Sequence, residues 1–425
     1  MKRKFSKNSS YKIIRLTNNE NIPLTFNTYY EWEKRNYDII NLPDDTELID
    51  ILFENDKYVD AIVVQYEGLQ PSLPILNELP DYYKRLVHYI MADDNYGISL
   101  ALEINNNQLS KNFQPLFSIV TPLYKTKFTS FCAAYNSLTL QDNNDWEWIL
   151  IDDSPEEESK IKEFIEARKD LRLRYFRIGP TNGNIGLSKW RGNCMSTGKW
   201  LVEFDHDDML APWCLHTLKE AIEKYPDNKF IYSDSTPVDK NGNAKPCEWD
   251  DYDFGMGYGY SYETKMPDGN LIRTDSSGPV NCATIRHIVG VGNHVRCWER
   301  MFYFAIGGHN VTQRIADDYE LIVRSFLYTR FTHIPICCYL QRFDGNNSQF
   351  VEEPDTDDQG NINDIQRRVR LISIYYDKAI HDRLEQLGLN DDYWIEGDPY
   401  ETAQTYKQLH RDECAEDIYV PEWSK

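Results

Sequence analysis

Between residues 116 and 232, short apolar runs of strand length alternate with longer segments of helical character. The runs are Leu116-Phe117-Ser118-Ile119-Val120, Trp146-Glu147-Trp148-Ile149-Leu150-Ile151, Arg174-Tyr175-Phe176-Arg177-Ile178, Lys199-Trp200-Leu201-Val202-Glu203-Phe204 and Phe230-Ile231-Tyr232. Residues 128–140 have helix-like spacing. Ser154-Pro155-Glu156-Glu157 has a helix-start pattern, with Ser as N-cap and Pro at the first helical position. Pro212 opens a further helix, whose Leu215, Leu218 and Ile222 share one face. Such alternation predicts an α/β fold, a mostly parallel sheet with helices on both faces. Ligands of such sheets sit at the carboxyl ends of the strands, so chemistry is expected there.

Two strand ends carry acidic clusters, Asp152-Asp153 and Asp205-His206-Asp207-Asp208. An Asp-x-Asp after an apolar strand can direct two hard oxygen ligands at one divalent cation, Mg²⁺ or Mn²⁺, that holds phosphate oxygens. The chain is rich in Asp, however, and adjacent pairs recur at 44, 93, 250, 317, 357 and 391. On the residues alone, a metal site and a solvated acidic loop both remain open. Between the clusters, Asn182-Gly183-Asn184-Ile185-Gly186-Leu187-Ser188-Lys189-Trp190-Arg191 reads as a glycine turn leading to two cations that could approach a diphosphate.

With 425 residues the chain is long enough for two or three domains. Residues 1–112 read as a small mixed region, with a helix near 48–53, a strand at 61–64 and an amphipathic helix at 82–91. Residues 105–112 read as a linker, 113–350 as the α/β domain, and 351–425 as a linker or lid followed by a helical extension, with a long helix over 365–389. A formal net charge of −22 disfavours nucleic acid and anionic membranes as partners. The nine cysteines lack CxxC spacing, and no run has the length and apolarity of a signal peptide or membrane span. A cytoplasmic protein with reduced thiols is the expectation.

Taken in order, these motifs resemble the family 2 glycosyltransferases of the GT-A fold, over residues 117–348. Ser118-Ile119-Val120-Thr121-Pro122-Leu123-Tyr124 is similar to the family's first strand, whose end cradles the nucleotide base. Ser137-Leu138-Thr139-Leu140-Gln141, Trp146-Glu147 and Ile151-Asp152-Asp153-Ser154 match the second, and Asn184-Ile185-Gly186 matches the glycine turn. Gly198-Lys199-Trp200 with Glu203-Phe204-Asp205-His206-Asp207-Asp208 matches the metal strand. Ile306-Gly307-Gly308-His309 and Asp317-Asp318-Tyr319-Glu320-Leu321 resemble the acceptor loop and the catalytic helix start. Three places depart from the family pattern. Trp190-Arg191-Gly192-Asn193 stands where Ala-Arg-Asn is usual, Asp317-Asp318 replaces Glu-Asp, and Asp344 stands in place of a late His.

The resemblance implies a nucleotide site formed by Thr121, Pro122, Tyr124, Asp152, Asp153, Asn184, Gly186, and Lys189 or Arg191. It implies a Mn²⁺ or Mg²⁺ held by Asp205, Asp207 and Asp208, with Asp344 joining. It also implies Asp318 as general base, with Asp317 and Arg324 on the acceptor side; Trp298, within Arg296-Cys297-Trp298-Glu299-Arg300, reads either as a ring for an acceptor sugar or, more simply, as a packed core tryptophan. The expected reaction is transfer of a sugar from a nucleoside diphosphate, of the uridine class, to an acceptor hydroxyl with inversion. The acceptor stays open among a saccharide, a lipid-linked glycan, a protein and a nucleobase. The rival readings are a non-catalytic nucleotide-sugar binder of the same fold, a glycoside hydrolase and a phosphatase of the haloacid dehalogenase type with Asp205 as nucleophile. The phosphatase would want Thr or Val where Met209 stands.

Overall fold

The fold is known from a computed structural model, which describes residues 11–20, 37–48, 115–177, 184–239, 261–286, 294–313, 316–343, 365–391 and 415–424. It also describes short pieces between 51 and 89, and residues 243–244 and 291–292. The first sheet is small and parallel. Its strands are β1 (Tyr11–Leu16), β2 (Tyr37–Leu42), β3 (Ala61–Val64) and β4 (Val87–Tyr89), in the order β2-β1-β3-β4. The strand read at 61–64 is present, and helical turns occur at Leu48 and at Ile51 and Leu52. The helix read over 82–91 is not. One turn, Asp81–Lys84, is followed by β4, because Val87 pairs with Ile62 and leaves water against the apolar β3.

Among the described residues, the second sheet has eleven strands. β5 (Phe117–Leu123), β6 (Trp146–Asp152), β7 (Leu173–Phe176) and β8 (Trp200–Glu203) form a parallel block in the order β8-β5-β6-β7. Beyond β8 come β9 (Met209–Leu210), β10 (Phe230–Val238), β11 (Ser261–Lys265), β12 (Leu271–Asp275), β13 (Arg296–Glu299), β14 (Phe331–Arg342) and β15 (Glu416–Ile418). β13 runs antiparallel between β8 and β10, while β14 runs parallel to β10 and carries β15 and β9.

The helices are α1 (Phe128–Thr139), α2 (Ser159–Arg168), α3 (Ile185–Cys194), α4 (Cys214–Lys224), α5 (Arg300–Ala305), α6 (Asp317–Tyr328) and α7 (Ile365–Gln386). They cover both faces, so the α/β expectation is met. On one face Trp148 stacks on Phe131 at 5.3 Å, within a core that includes Ile161, Ile165, Leu215 and Leu218. On the other, Val120, Ile149, Ile151 and Met195 pack together, and Trp190, Trp298, Tyr303 and Tyr319 share a second core with the first sheet. Truncating a buried ring such as Trp148 costs on the order of 3–5 kcal/mol.

Two local readings change. The helix expected from Ser154-Pro155 begins only at Ser159, because Asp152 holds the amides of Ser154 (2.9 Å) and Glu158 (3.0 Å) in a turn. The long C-terminal helix is α7, with Val369 and Ile372 buried as its spacing required. The linkers read at 105–112 and 352–358 lie outside the described residues. No disulfide joins the seven cysteines among the described residues, and no described helix is long and apolar enough to cross a membrane.

Candidate active site

The loop after β8 is built from its anchor outward. Phe204 is buried beside Trp148 and Tyr339, which stops the strand from drifting into solvent. Asp208 is buried too, and its carboxylate accepts the Tyr339 hydroxyl at 2.8 Å and the Arg342 amide at 2.6 Å. Arg342 Nε also donates to the Asp207 carbonyl at 2.7 Å. Asp208 therefore ties the loop to β14 rather than facing a ligand. Asp205 and Asp207 remain half-buried, and His206 Nδ1 lies 3.8 Å from Asp207 Oδ1.

Burial lifts the Asp205 carboxyl to about 6, with Lys189 pulling against it and Glu203 and Asp207 adding to it. Asp205 and Asp207, two carboxylates on one loop with the second raising the first, suit a divalent cation. Among the described residues, no three His, Cys, Asp or Glu side chains would hold an ion by themselves. Mg²⁺ and Mn²⁺ fit such a site, because one or two carboxylates plus phosphate oxygens and water complete their shell.

Behind this loop lies a cluster of buried charges. Glu203, the last residue of β8, accepts from Lys189 Nζ at 2.7 Å and from Arg296 Nη1 at 3.1 Å. Lys189 Nζ also lies 3.4 Å from Asp317 Oδ2, and Arg296 Nη2 lies 2.9 Å from Asp318 Oδ2. His309 Nε2 stands 3.6 Å from Glu203 and 3.8 Å from Asp317, while its Nδ1 meets the Tyr303 hydroxyl at 2.8 Å. Burial works against the Lys189 charge, but Asp317 and Glu203 outweigh it and raise its ammonium above the ordinary range. Burial would also lift Glu203, yet Lys189 and Arg296 hold it well below the usual carboxylate range.

Asp317 and Asp318 open α6, so both carboxylates sit where the helix dipole favours negative charge. Ala316, just before them, has φ 58°, a left-handed conformation that a non-glycine residue adopts only at a cost. The preceding turn is glycine by necessity. Gly308 has φ 60°, and a Cβ there would lie 2.4 Å from the Trp190 ring. The Arg324 guanidinium clamps this turn by donating to the Ile306 and Gly308 carbonyls, and it pairs with Glu320 at 2.6 Å.

At the ends of β5 and β6 the proposed base-contacting residues divide. Tyr124 is 44% exposed, with Lys125 Nζ 5.2 Å from its ring centre. Pro122 lies inside β5, opposite Ile151. Thr121 is buried, and its hydroxyl donates to the Phe204 carbonyl at 2.7 Å and accepts from Trp148 Nε1 at 2.8 Å. Asp152 is spent on Ser154, Glu158, Tyr175 (2.6 Å) and Arg177 (2.8 Å). Asp153 accepts from Ser188 on α3 at 3.0 Å. Asn184 caps α3 by accepting the Leu187 amide at 3.0 Å. A Cβ at Gly186 would come within 2.9 Å of the Asn310 carbonyl, so the helix start packs directly against the loop before α6. Of the two cations on α3, Lys189 points into the buried cluster and Arg191 is half-buried.

The model of glycosyl transferase family 2 matches residues 118–267. Residues 118–267 thus carry the sequence of a family 2 glycosyltransferase domain. An uncharacterized glycosyltransferase of Haemophilus influenzae is 24% identical over 217 residues, 51% of this chain and 64% of that protein. The uncharacterized protein y4gI of Sinorhizobium fredii is 28% identical over 166 residues, 37% of this chain and 18% of that protein. The chain thus spans less than two thirds of either relative. The structure of S. aureus TarS 1-349 in complex with UDP-GlcNAc superposes with a TM-score of 0.44 at 13% identity, covering 68% of this chain and 79% of that one.

Within the glycosyltransferase domain the acid-ended strands and the glycine turn fall inside the matched residues, whereas Asp317 and Asp318 lie beyond them. Of the two readings open for Trp298, the core one holds, and Arg324 is placed away from an acceptor. Trp298 is packed against Phe230 at 4.8 Å and donates to Ser325, so neither ring face is open to a sugar. Arg324 is committed to the Gly307-Gly308 turn. Asp344 lies outside the described residues. Sequence reasoning passed over Glu203, Arg296 and Tyr339. Only Glu203 left a signal, as the one charge in the apolar run Trp200-Leu201-Val202-Glu203-Phe204.

Proposed function

We propose that the chain transfers a sugar from a uridine diphosphate donor to an acceptor hydroxyl with inversion, by a unit spanning about residues 113–350. One observation carries the reading. Within the segment that matches family 2, the carboxylate pair Asp205 and Asp207 follows β8, and beyond that segment a separate aspartate at the start of α6 is tied through Arg296 to Glu203, the last residue of β8.

Tyr124 and Asp153 would receive the base, by stacking on the exposed ring and by accepting a base N–H. Asp205 and Asp207 would hold a divalent cation, Mn²⁺ or Mg²⁺, which supplies Lewis-acid stabilisation of diphosphate charge when bound. Asp318 takes the proton of the acceptor hydroxyl. The freed oxygen attacks the anomeric carbon, and the sugar–phosphate bond breaks with its electron pair leaving on the diphosphate. One base and one leaving group on opposite sides give a single displacement and inversion. Asp317, facing Lys189, orients the start of α6 rather than sharing the proton.

The test is single-turnover transfer from a radiolabelled UDP-sugar panel by wild type and Asp318→Asn, each paired with UDP titration. General-base loss predicts a rate lower by about 10²–10⁴-fold at unchanged UDP affinity. Wild-type transfer by Asp318→Asn would remove the base from this reading.

A further inference from the structure

Arg296 is the first residue of β13, and its guanidinium is pinned on three sides. Nε donates to the Gly292 carbonyl at 2.9 Å, Nη1 to Glu203 at 3.1 Å, and Nη2 reaches Asp318 Oδ2 at 2.9 Å. A planar fork held this way cannot swing, so whatever it pairs with inherits a fixed direction. Exposure runs in one sense along the chain of contacts. The side chain of Glu203 is 5% exposed, that of Arg296 8% and that of Asp318 23%. The arginine therefore backs the carboxylate from the protein side. The other Asp318 oxygen accepts the Tyr319 amide at 2.7 Å, which fixes the plane of the group.

Burying an arginine and a glutamate together is weak evidence of stabilisation, since apolar residues of equal volume often do as well. A directed role explains their presence better. We propose that Arg296 is a positioning residue for Asp318, holding its carboxylate in one orientation toward the acceptor side, with Glu203 as the fixed end of that chain. The inference rests on the reading of Asp318 as the base. It concerns a residue outside the segment matched by the family model.

The charge consequence supports it. Burial alone would lift the Asp318 carboxyl, but Arg296 and then Lys189 outweigh it and hold it below the usual range. The groups facing Asp318 are Arg296 and His294 around β13, Lys189 on α3, and Glu203 on β8, with Asp317 beside it on α6. His294, pushed down to about 3 by burial and then by Arg296, is neutral and leaves the arginine as the titration-setting neighbour. Removing the Arg296 charge makes Asp318 easier to protonate, so the acid limb of the rate profile moves to higher pH.

The experiment compares wild type, Arg296→Lys, Arg296→Met, Asp318→Asn and the Asp318→Asn/Arg296→Met double variant in single-turnover transfer across pH, with UDP affinity measured for each. Misplacing the base lowers the Arg296→Met rate by about 10–100-fold. Its acid limb rises, its UDP affinity stays at the wild-type value, and Arg296→Lys recovers part of both losses. The double variant is no slower than Asp318→Asn alone, because a positioning residue has nothing to position once the base is gone. A wild-type rate and profile in Arg296→Met overturns the inference, as does a double variant slower than Asp318→Asn by the full Arg296→Met factor. If Arg296→Met does not fold, Arg296→Lys decides: an unshifted acid limb at full rate overturns it. Full activity of Asp318→Asn fails the base assignment itself, whereas an inactive Asp318→Asn beside unaffected Arg296 variants fails only this inference.

Discussion

Lys189 Nζ and Glu203 Oε1 meet at 2.7 Å in the protein interior, one on α3 and the other at the end of β8. This pair places the lysine among carboxylates, not toward the diphosphate. Lys189→Met should destabilise the fold by about 3–5 kcal/mol, the usual cost of stripping one partner from a buried pair. UDP affinity of the folded fraction should stay near wild type. Urea unfolding with UDP titration checks this. A large loss of UDP affinity at unchanged stability would return the lysine to the nucleotide site.

A second buried pair is purely structural. Glu147 on β6 lies in ion-pair contact with Arg174 and accepts from Ser118 (2.6 Å) and from the Thr197 amide (2.7 Å). It thus fixes the turn that feeds β8. Glu147→Leu should cost about 3–5 kcal/mol, and adding Arg174→Leu should recover part of that by removing the stranded charge. Chemical denaturation of the three variants measures it. A double variant as unstable as the sum of the singles would contradict the pairing.

The state of Asp205 predicts a pH dependence. Its carboxyl stands at about 6 in the metal-free fold, against an ordinary value of 3.8. A raised carboxyl disfavours the ionised fold, so the penalty from this group builds as pH rises from 3.8 to about 6 and is constant above. A cation that binds the ionised form relieves that penalty. The Tm increment given by Mn²⁺ with UDP should therefore be full above about 6 and fade as pH falls through it. An increment that grew on acidification would have the wrong sign for a carboxylate site.

Asp208 and Asp207 should behave differently although they are neighbours. Asp208→Ala leaves the Tyr339 hydroxyl and the Arg342 amide without their acceptor, at a cost of about 1–3 kcal/mol. Asp207→Asn should leave the melting temperature of the metal-free protein almost unchanged. Differential scanning fluorimetry separates the two. Equal destabilisation by both would mean that the loop has no dedicated anchor.

The parallel block was legible because its signals are local. The apolar runs of β5, β6, β7, β8 and the start of β10, and the one-sided spacing of α1, α4 and α7, need no distant partner to be seen. β1, β2 and β4 were not, since Ile13 finds Ile39 and Val87 finds Ile62 only across the chain. Ser154-Pro155 carried a helix start in its own residues, yet the Asp152 carboxylate claimed the amides that would have opened it. The acidic strand ends were visible for the same local reason. The commitments of Asp208, Lys189 and Trp298, and the pairing of Asp152 with Tyr175, were not, because each is set by a residue at least ten positions away.

In the proposed site, Asp205 and Asp207 hold a cation through which a uridine diphosphate donor binds. Calorimetric titration of UDP into wild type and Asp207→Asn, each with Mn²⁺ and with EDTA, tests it most directly. Tight binding is expected only for wild type with Mn²⁺, and equally weak binding in the other three arms. UDP binding that ignores Mn²⁺ in wild type, or that keeps its Mn²⁺ dependence in Asp207→Asn, would contradict it.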